Sequence, residues 1–327
     1  MKILFMGTSE FAVPSLEKLL AERFDLIGVV TQPDRPSGRG NRLTPPPIKV
    51  VAATHNLPTY QPEKVRHRDF IRVLRELKPD AIVVVAFGQI LPKSVLDLPP
   101  CGCLNVHPSL LPKYRGAAPI QWALINGETE TGVTIMLLDE GQDTGNIISQ
   151  KRHPIDQRDN AATLSNRLAK VAPPLLIQSL AAASDGPPPR HPQNHAEATH
   201  APRLTKEMGQ IDWNQPADGI RNLVRGTSMW PGAYTYFSDD LRLKIIACTV
   251  ADVGTLRLPS QADPTPGAFS TGTIQISSDK DLIVHTGAGA LRLDCVQPAN
   301  KKEMDACAFL NGHRLKTGDR FYQTDRY

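Results

Sequence analysis

Residues Ala81-Ile82-Val83-Val84-Val85-Ala86 are apolar without a break. The run is too short for a buried helix and rich in β-branched side chains, so it predicts a strand. A strand with no polar face must be covered on both sides, which is the situation of a central parallel strand. Other short apolar runs alternate with helical patterns around it. They predict strands at Ile3–Met6, Leu26–Val30, Ala81–Ala86, Leu104–His107, Thr131–Leu138 and Ile147–Lys151. Helices are expected near Glu10–Leu20, Glu63–Leu77 and Pro119–Ile125, with Val65, Leu74 and Leu77 along one stripe of the second. This alternation argues an α/β fold: an open, mostly parallel, Rossmann-like sheet with helices on both faces.

The pattern changes further along. A helix over Asn160–Ala182 is expected to break or kink at Pro173-Pro174. Gly186-Pro187-Pro188-Pro189 and the polar residues after it read as a linker. Pro216 suits the first turn of a short helix through Val224. Short β runs follow at Ala233–Phe237, Leu241–Thr249, Gly272–Ile276, Leu282–His285 and Ala290–Val296, then a last helix at Met304–Leu310. Turn-separated strands of this kind suggest a small open β-barrel, OB-like in scale. A chain of 327 residues accommodates the resulting division: a first domain over 1–189, a linker over 190–207 and a second domain over 208–327.

No apolar run reaches the length of a membrane span, so no membrane partner is expected. The start, Met1-Lys2-Ile3-Leu4-Phe5-Met6-Gly7, has the look of a signal peptide but is too short, which favours a first strand and a cytoplasmic location. The five cysteines are odd in number and fit no zinc spacing. Residues 1–190 hold 22 Lys and Arg against 18 Asp and Glu, and residues 191–327 hold 15 of each. The net charge of +4 permits a nucleic-acid partner without demanding one. A monomer is the expectation, though nothing in the sequence fixes the oligomeric state.

The stretch from Cys103 to Pro112 carries the clearest chemistry. Asn105 and His107 are two apart at the end of a strand-like run, so alternation turns both to one side. An amide and an imidazole on one spot can donate to a developing oxyanion and move a proton. Pro108 and Pro112 then fix the loop. A lone His is more often structural; Asn105 and the prolines shift the balance. Gly7-Thr8-Ser9-Glu10 lacks the glycine spacing of a dinucleotide site and reads as a tight turn with Thr8 or Ser9 capping a helix. A nicotinamide dehydrogenase is therefore the weakest alternative. The connection from Thr31 to Pro47 is unusually long and sets Arg35, Arg39 and Arg42 against the single acid Asp34. It is either a solvated insertion or an arm that grips phosphates. In Leu138-Asp139-Glu140-Gly141-Gln142-Asp143-Thr144-Gly145 three acids cluster after a strand. An acidic surface turn is the ordinary explanation. The sharper one turns a carboxylate, best Asp143, inward to partner His107. A metal site would need more oxygen ligands than these, so none is expected.

Asn105-x-His107-Pro108-Ser109, Leu110-Leu111-Pro112-Lys113-Tyr114-Arg115-Gly116 and Asp143-Thr144-Gly145 resemble the tetrahydrofolate-dependent formyltransferases. The likeness covers nearly the whole chain. It takes in Phe5-x-Gly7-Thr8, the arm from Gln32 to Gly40, Gly116-Ala117-Ala118-Pro119-Ile120-Gln121-Trp122, Ile211-x-Trp213 and Trp230-Pro231-Gly232-Ala233-Tyr234. The arm and the later segments are most similar to members acting on charged tRNA. The resemblance implies formyl transfer from 10-formyltetrahydrofolate, as co-substrate, to the amino group of methionyl-initiator tRNA. It implies Asn105, His107 and Asp143 as the catalytic set, with Ser109, Leu110, Leu111 and Pro112 bordering the folate. Phe87, Gly88, Gln89, Ile90 and Leu91 would border it too. Arg35, Arg39 and Arg42 would meet the tRNA, and the barrel would lie along it. The neutral second half departs from the positive charge such a role suggests. A folate formyltransferase acting on a small amine, such as glycinamide ribotide or an amino sugar, fits the central residues equally well. A non-catalytic RNA-binding protein fits less well, because the Asn105, His107 and Asp143 set is intact.

Overall fold

The structure, a computed structural model, describes all residues except 38, 39, 41, 185–189, 239–240, 252–268 and 325–327. The chain divides into two compact units. The first comprises Met1–Pro119, Glu130–Ile155 and Thr163–Pro202; the second comprises Ile120–Thr129, Asp156–Ala162 and Arg203–Tyr327.

The first unit is built on β1 (Lys2–Gly7), β2 (Asp25–Val30), β5 (Thr59–Tyr60), β6 (Ala81–Val85), β7 (Cys103–His107), β8 (Glu130–Leu137) and β9 (Ile147–Pro154). Their order is β5-β2-β1-β6-β7-β8-β9. The first five are mutually parallel, while β8 and β9 join antiparallel at one edge. The chain first steps outward from β1 through β2 to β5, then returns to β6 on the other side. The switch in direction falls between β1 and β6, where open α/β sheets hold ligands outside their carboxyl ends. Every residue of β6 is buried, as its unbroken apolar run predicts. Leu4, Met6, Ile82, Val84 and Cys103 face one layer with Ile71 and Leu74 of α3 (Arg68–Leu77) and Val95 of α4 (Lys93–Leu96). The opposite-facing Ile3, Phe5, Val83 and Val85 are equally buried. On β2, α2 (Pro47–Thr54) packs together with α1 (Val13–Ala21).

Several expectations are corrected. The first helix opens as a 3-10 turn at Glu10–Ala12, and neither Thr8 nor Ser9 caps it. The Thr8 hydroxyl donates instead to the Phe87 carbonyl at 2.9 Å, tying the ends of β1 and β6 together. The second expected helix starts at Arg68 rather than Glu63: the Gln89 side chain accepts from Val65 N–H at 2.7 Å, and the segment before Arg68 is a turn closed by His67 N–H on the Lys64 carbonyl. The long connection after β2 contains β3 (Arg35–Ser37) paired antiparallel with β4 (Arg42–Thr44). No break interrupts α6 (Ala161–Ser184) at Pro173 and Pro174. Each proline removes a helical hydrogen bond, but Leu164, Leu168, Ala172, Leu176 and Leu180 form a fully buried stripe that holds the helix across the gap. Residues 190–202, read as linker, are hydrogen-bonded into the first unit. His191 pairs with Ile147, and Ala201 N–H donates to the Arg115 carbonyl at 2.7 Å. The proline run at 186–189 lies outside the described residues.

The second unit holds α5 (Pro119–Ile125), all but its first residue, and α7 (Ala217–Thr227). Its strands are β10 (Ala233–Phe237), β11 (Leu241–Val250), β12 (Ile274–Ile276), β13 (Leu282–His285), β14 (Ala290–Pro298) and β15 (Met304–Asp305), followed by α8 (Ala306–His313). The antiparallel order is β10-β11-β14-β13-β12, with β15 on β14. Residues 319–322 bond to both ends of this order: Tyr322 pairs with Tyr236 of β10, and Arg320 with Thr273 beside β12. Trp213, Phe237, Phe309 and Phe321 fill the core, and the Trp213 indole N–H donates to Thr235 Oγ1 at 2.9 Å. The last helix begins later than Met304, since the Asp305 carboxylate caps it by accepting from Cys307 N–H at 2.8 Å.

Candidate active site

Alternation along β7 puts Asn105 and His107 in register with Met136 and Thr134 of β8. His107 is 4% exposed. Its Nε2 lies 2.9 Å from the Tyr114 carbonyl. A carbonyl can only accept, so Nε2 carries a proton and Nδ1 is the nitrogen left for chemistry. Nδ1 lies 3.7 Å from Asp143 Oδ1. Asp143 Oδ2 accepts from Gly116 N–H at 2.9 Å, which leaves Oδ1 aimed at the imidazole. Among the described residues nothing hydrogen-bonds the half-buried Asn105 amide.

Asp143 reaches this place by an indirect route. Because β8 is antiparallel to β7, its far end lies beside Cys103, with Leu138 N–H donating to the Cys103 carbonyl at 2.8 Å. The loop Asp139–Asn146 must turn back along the sheet. Hydrogen bonding sorts its three acids. Asp139 Oδ1 accepts from Gly141 N–H at 3.1 Å and from the Thr144 hydroxyl at 2.7 Å, so it builds the turn. Glu140 pairs with Lys93 at 3.3 Å. Asp143 alone turns inward. Both Asp143 (φ 54°) and Tyr114 (φ 63°) occupy left-handed backbone. That costs a non-glycine residue roughly 1 kcal/mol, so surrounding contacts must hold each in place.

The loop after His107 is fixed by buried and half-buried polar groups. Ser109 is buried, and its hydroxyl donates to the Lys113 carbonyl at 2.7 Å. The Thr134 hydroxyl donates to the Ser109 carbonyl at 2.7 Å and accepts from Leu111 N–H at 3.2 Å. Gln150 donates to the Leu111 carbonyl at 2.8 Å. Leu110 packs on Gly132, where a Cβ would stand 2.5 Å from Leu110 Cδ2. Pro112 follows a cis peptide bond and is half-buried. Thr134, Gln150 and Gln193 gave no signal in the sequence beyond being polar residues in or beside apolar strands.

The segment after β6 divides in two. Phe87 and Leu91 are buried in the core layer, and Gln89 is spent on the 62–65 chain. Gly88 is exposed with φ 86°, and Ile90 is 90% exposed, an unusual position for so apolar a side chain. In the arm, Arg35 and Arg42 are both exposed on β3 and β4; Arg39 lies outside the described residues. The arm's root is pinned: Asp34 accepts from Lys49 at 2.8 Å and from Gln61 at 2.7 Å, bonds that hold its carboxyl below the ordinary range. Among the described residues no three His, Cys, Asp or Glu converge as metal ligands. Among the described residues no helix is long and apolar enough to cross a membrane.

An Asn, His and Asp grouping thus stands at the carboxyl end of β7, one strand from the switch between β1 and β6, and comparison with known proteins gives the kind of enzyme. The formyl transferase family matches residues 1–180, and the formyl transferase C-terminal domain matches residues 203–314. A methionyl-tRNA formyltransferase of Pelobacter propionicus is 46% identical over 97% of this chain and 94% of its own length. One from Thermodesulfovibrio yellowstonii is 47% identical over 97% of each. The chain belongs to the formyl transferase family.

Solved structures share the fold. WlaRD, a sugar 3N-formyl transferase solved with dTDP and 5-N-formyl-THF, superposes with a TM-score of 0.64 at 21% identity, over 92% of this chain and 99% of its own. HypX from Aquifex aeolicus in complex with tetrahydrofolic acid gives a TM-score of 0.63 at 17% identity. That match covers 99% of this chain, which spans about half of HypX, 51%.

Proposed function

We propose that this protein transfers a formyl group from 10-formyltetrahydrofolate to the amino group of methionyl-initiator tRNA, in the cytoplasm, for translation initiation. The observation that carries the reading is the His107–Asp143 pair, 3.7 Å apart with the imidazole buried and the carboxylate half-buried, beside an Asn105 amide with no hydrogen-bond partner among the described residues. The co-substrate supplies an activated formyl carbon. An exposed Ile90 and a free amide near the strand ends suit a ligand that is apolar along its length and polar at its reacting end.

Asp143 Oδ1 and His107 Nδ1 take the proton that the attacking amine sheds as its nitrogen bonds to the formyl carbon. Asn105 donates to the formyl oxygen, which gains negative charge. His107 Nδ1–H, when protonated, donates to the same oxygen and then returns a proton to the folate nitrogen as its bond to carbon breaks. Tyr114 holds Nε2, so the ring cannot turn away. Leu110 and Pro112 form one wall toward the folate, with the buried Ser109 and Leu111 shaping its backbone; Gly88 and Ile90 form the other, with Phe87, Gln89 and Leu91 shaping its backbone. Arg35, Arg39 and Arg42 grip tRNA phosphates from the arm.

The test measures transfer from a radiolabelled formyl donor to methionyl-initiator tRNA, a charged elongator tRNA and an amino-sugar nucleotide. The reading expects the initiator to be formylated fastest. Preference for the small amine would overturn the tRNA assignment while leaving the chemistry intact.

A further inference from the structure

We infer that Gln193 is a positioning residue that sets the Asp143 carboxylate against His107; the inference rests on the reading of Asp143 as a proton acceptor. Gln193 belongs to the segment that composition marks as a linker, yet it is only 6% exposed. All four hydrogen-bonding capacities of its amide are used. Nε2 donates to the carbonyl of Asp143 at 2.9 Å and to that of Gly145 at 2.8 Å. Oε1 accepts from Arg115 Nη2 at 2.7 Å and from Arg115 Nε at 3.1 Å. Arg115 can only donate and the two carbonyls can only accept, so the amide has one possible orientation. Arg115 is buried as well, and among the described residues no carboxylate pairs with it. Its charge polarises the amide and strengthens the two N–H donors that reach the loop.

The consequence for Asp143 is geometric. The loop Asp139–Asn146 turns back over the sheet with a left-handed residue at its tip. Gln193 fixes the Asp143 carbonyl, and Gly116 N–H fixes Oδ2. With both ends held, Oδ1 can face only the imidazole. The same segment holds the other half of the pair. Thr199 Oγ1 accepts from Tyr114 N–H at 2.9 Å, and the Thr199 carbonyl accepts from Arg115 N–H at 2.9 Å. Tyr114 is the residue whose carbonyl orients His107. Residues 191–201 therefore act as a strap across both members of the pair, with Gln193 at the acidic one.

The experiment is a double-mutant cycle read by single-turnover formyl transfer under saturating donor and methionyl-tRNA, using Gln193→Met, Asp143→Asn and the pair together. Misplacing a reacting group by about 1 Å can cost on the order of 10² in rate, and Gln193→Met is expected to lose about that much with KM for both substrates unchanged. In the Asp143→Asn background the same change should cost nothing further, because the group it positions is already gone. Losses that multiply, or a Gln193→Met enzyme at the wild-type rate, overturn the inference. An Asp143→Asn enzyme at the wild-type rate instead overturns the catalytic reading beneath it. Should Gln193→Met fail to fold, Gln193→Glu keeps the volume and the Arg115 contact while turning oxygens toward the two carbonyls. It is expected to stay folded with a lowered melting temperature and to lose rate; full activity in that folded variant overturns the inference.

Discussion

His107 shows how much a single hydrogen bond can decide. The Tyr114 carbonyl fixes which nitrogen holds a proton, and so which nitrogen meets Asp143. Cysteines give a residue-scale test of the core around it. Burial pushes both the Cys103 and Cys248 thiols up to about 12. A thiol held protonated is a poor nucleophile. In the native protein at mildly alkaline pH, a disulfide reagent should leave the buried Cys103 unlabelled while the partly exposed Cys101 and Cys307 react, as peptide mapping would show. Rapid native labelling of Cys103 would contradict the packing of β7. The pairing of Asn105 with His107 was legible because strand alternation is local. Asp143 was legible as the best placed of three acids, and the family resemblance named it. That Asp139 closes the turn and Glu140 meets Lys93 depends on the folded loop and was not legible.

At the scale of elements, β6 was readable because a strand buried on both faces has a one-letter pattern. The strap 191–201 was not, since polar and proline-rich composition marks a connection whether it is free or bonded to its surroundings. The antiparallel direction of β8 was also hidden, because strand periodicity is the same in either direction. The loop after β8 offers a sharp test. At Gly145 an added Cβ would stand 1.9 Å from the Leu137 carbonyl oxygen, which is backbone and cannot swing aside. Gly145→Ala must displace the loop and Asp143 with it. The expected outcome is a loss of formyl transfer on the order of 10², by the cost of misplacing a reacting group, with a lowered melting temperature. Wild-type kinetics in Gly145→Ala would show that the loop is not held where the site requires it.

Across the whole molecule, the first unit carries the proposed chemistry and the second is an open antiparallel sheet bonded at both edges by residues 319–322. Its pH response follows from His285, which stacks on Phe269 with ring centres 4.5 Å apart and meets Gln275 Oε1 at 2.9 Å. Burial lowers the pKa of His285 from its ordinary value. The native state thus favours the neutral ring, and the unfolded chain binds more protons as pH falls through about 6.5. Stability should be full above that value and decline as pH drops from it toward the folded pKa. His285→Gln should flatten the decline in melting temperature over this window; an unchanged slope would assign it to other groups. The central claim concerns one pair of side chains. Its most direct measurement is the single-turnover rate of formyl transfer to methionyl-initiator tRNA in His107→Ala, alongside equilibrium binding of the folate donor. The account predicts a loss of roughly 10²–10³ in rate, the scale of removing an oxyanion donor, with donor binding intact. A rate equal to that of the wild type would contradict it.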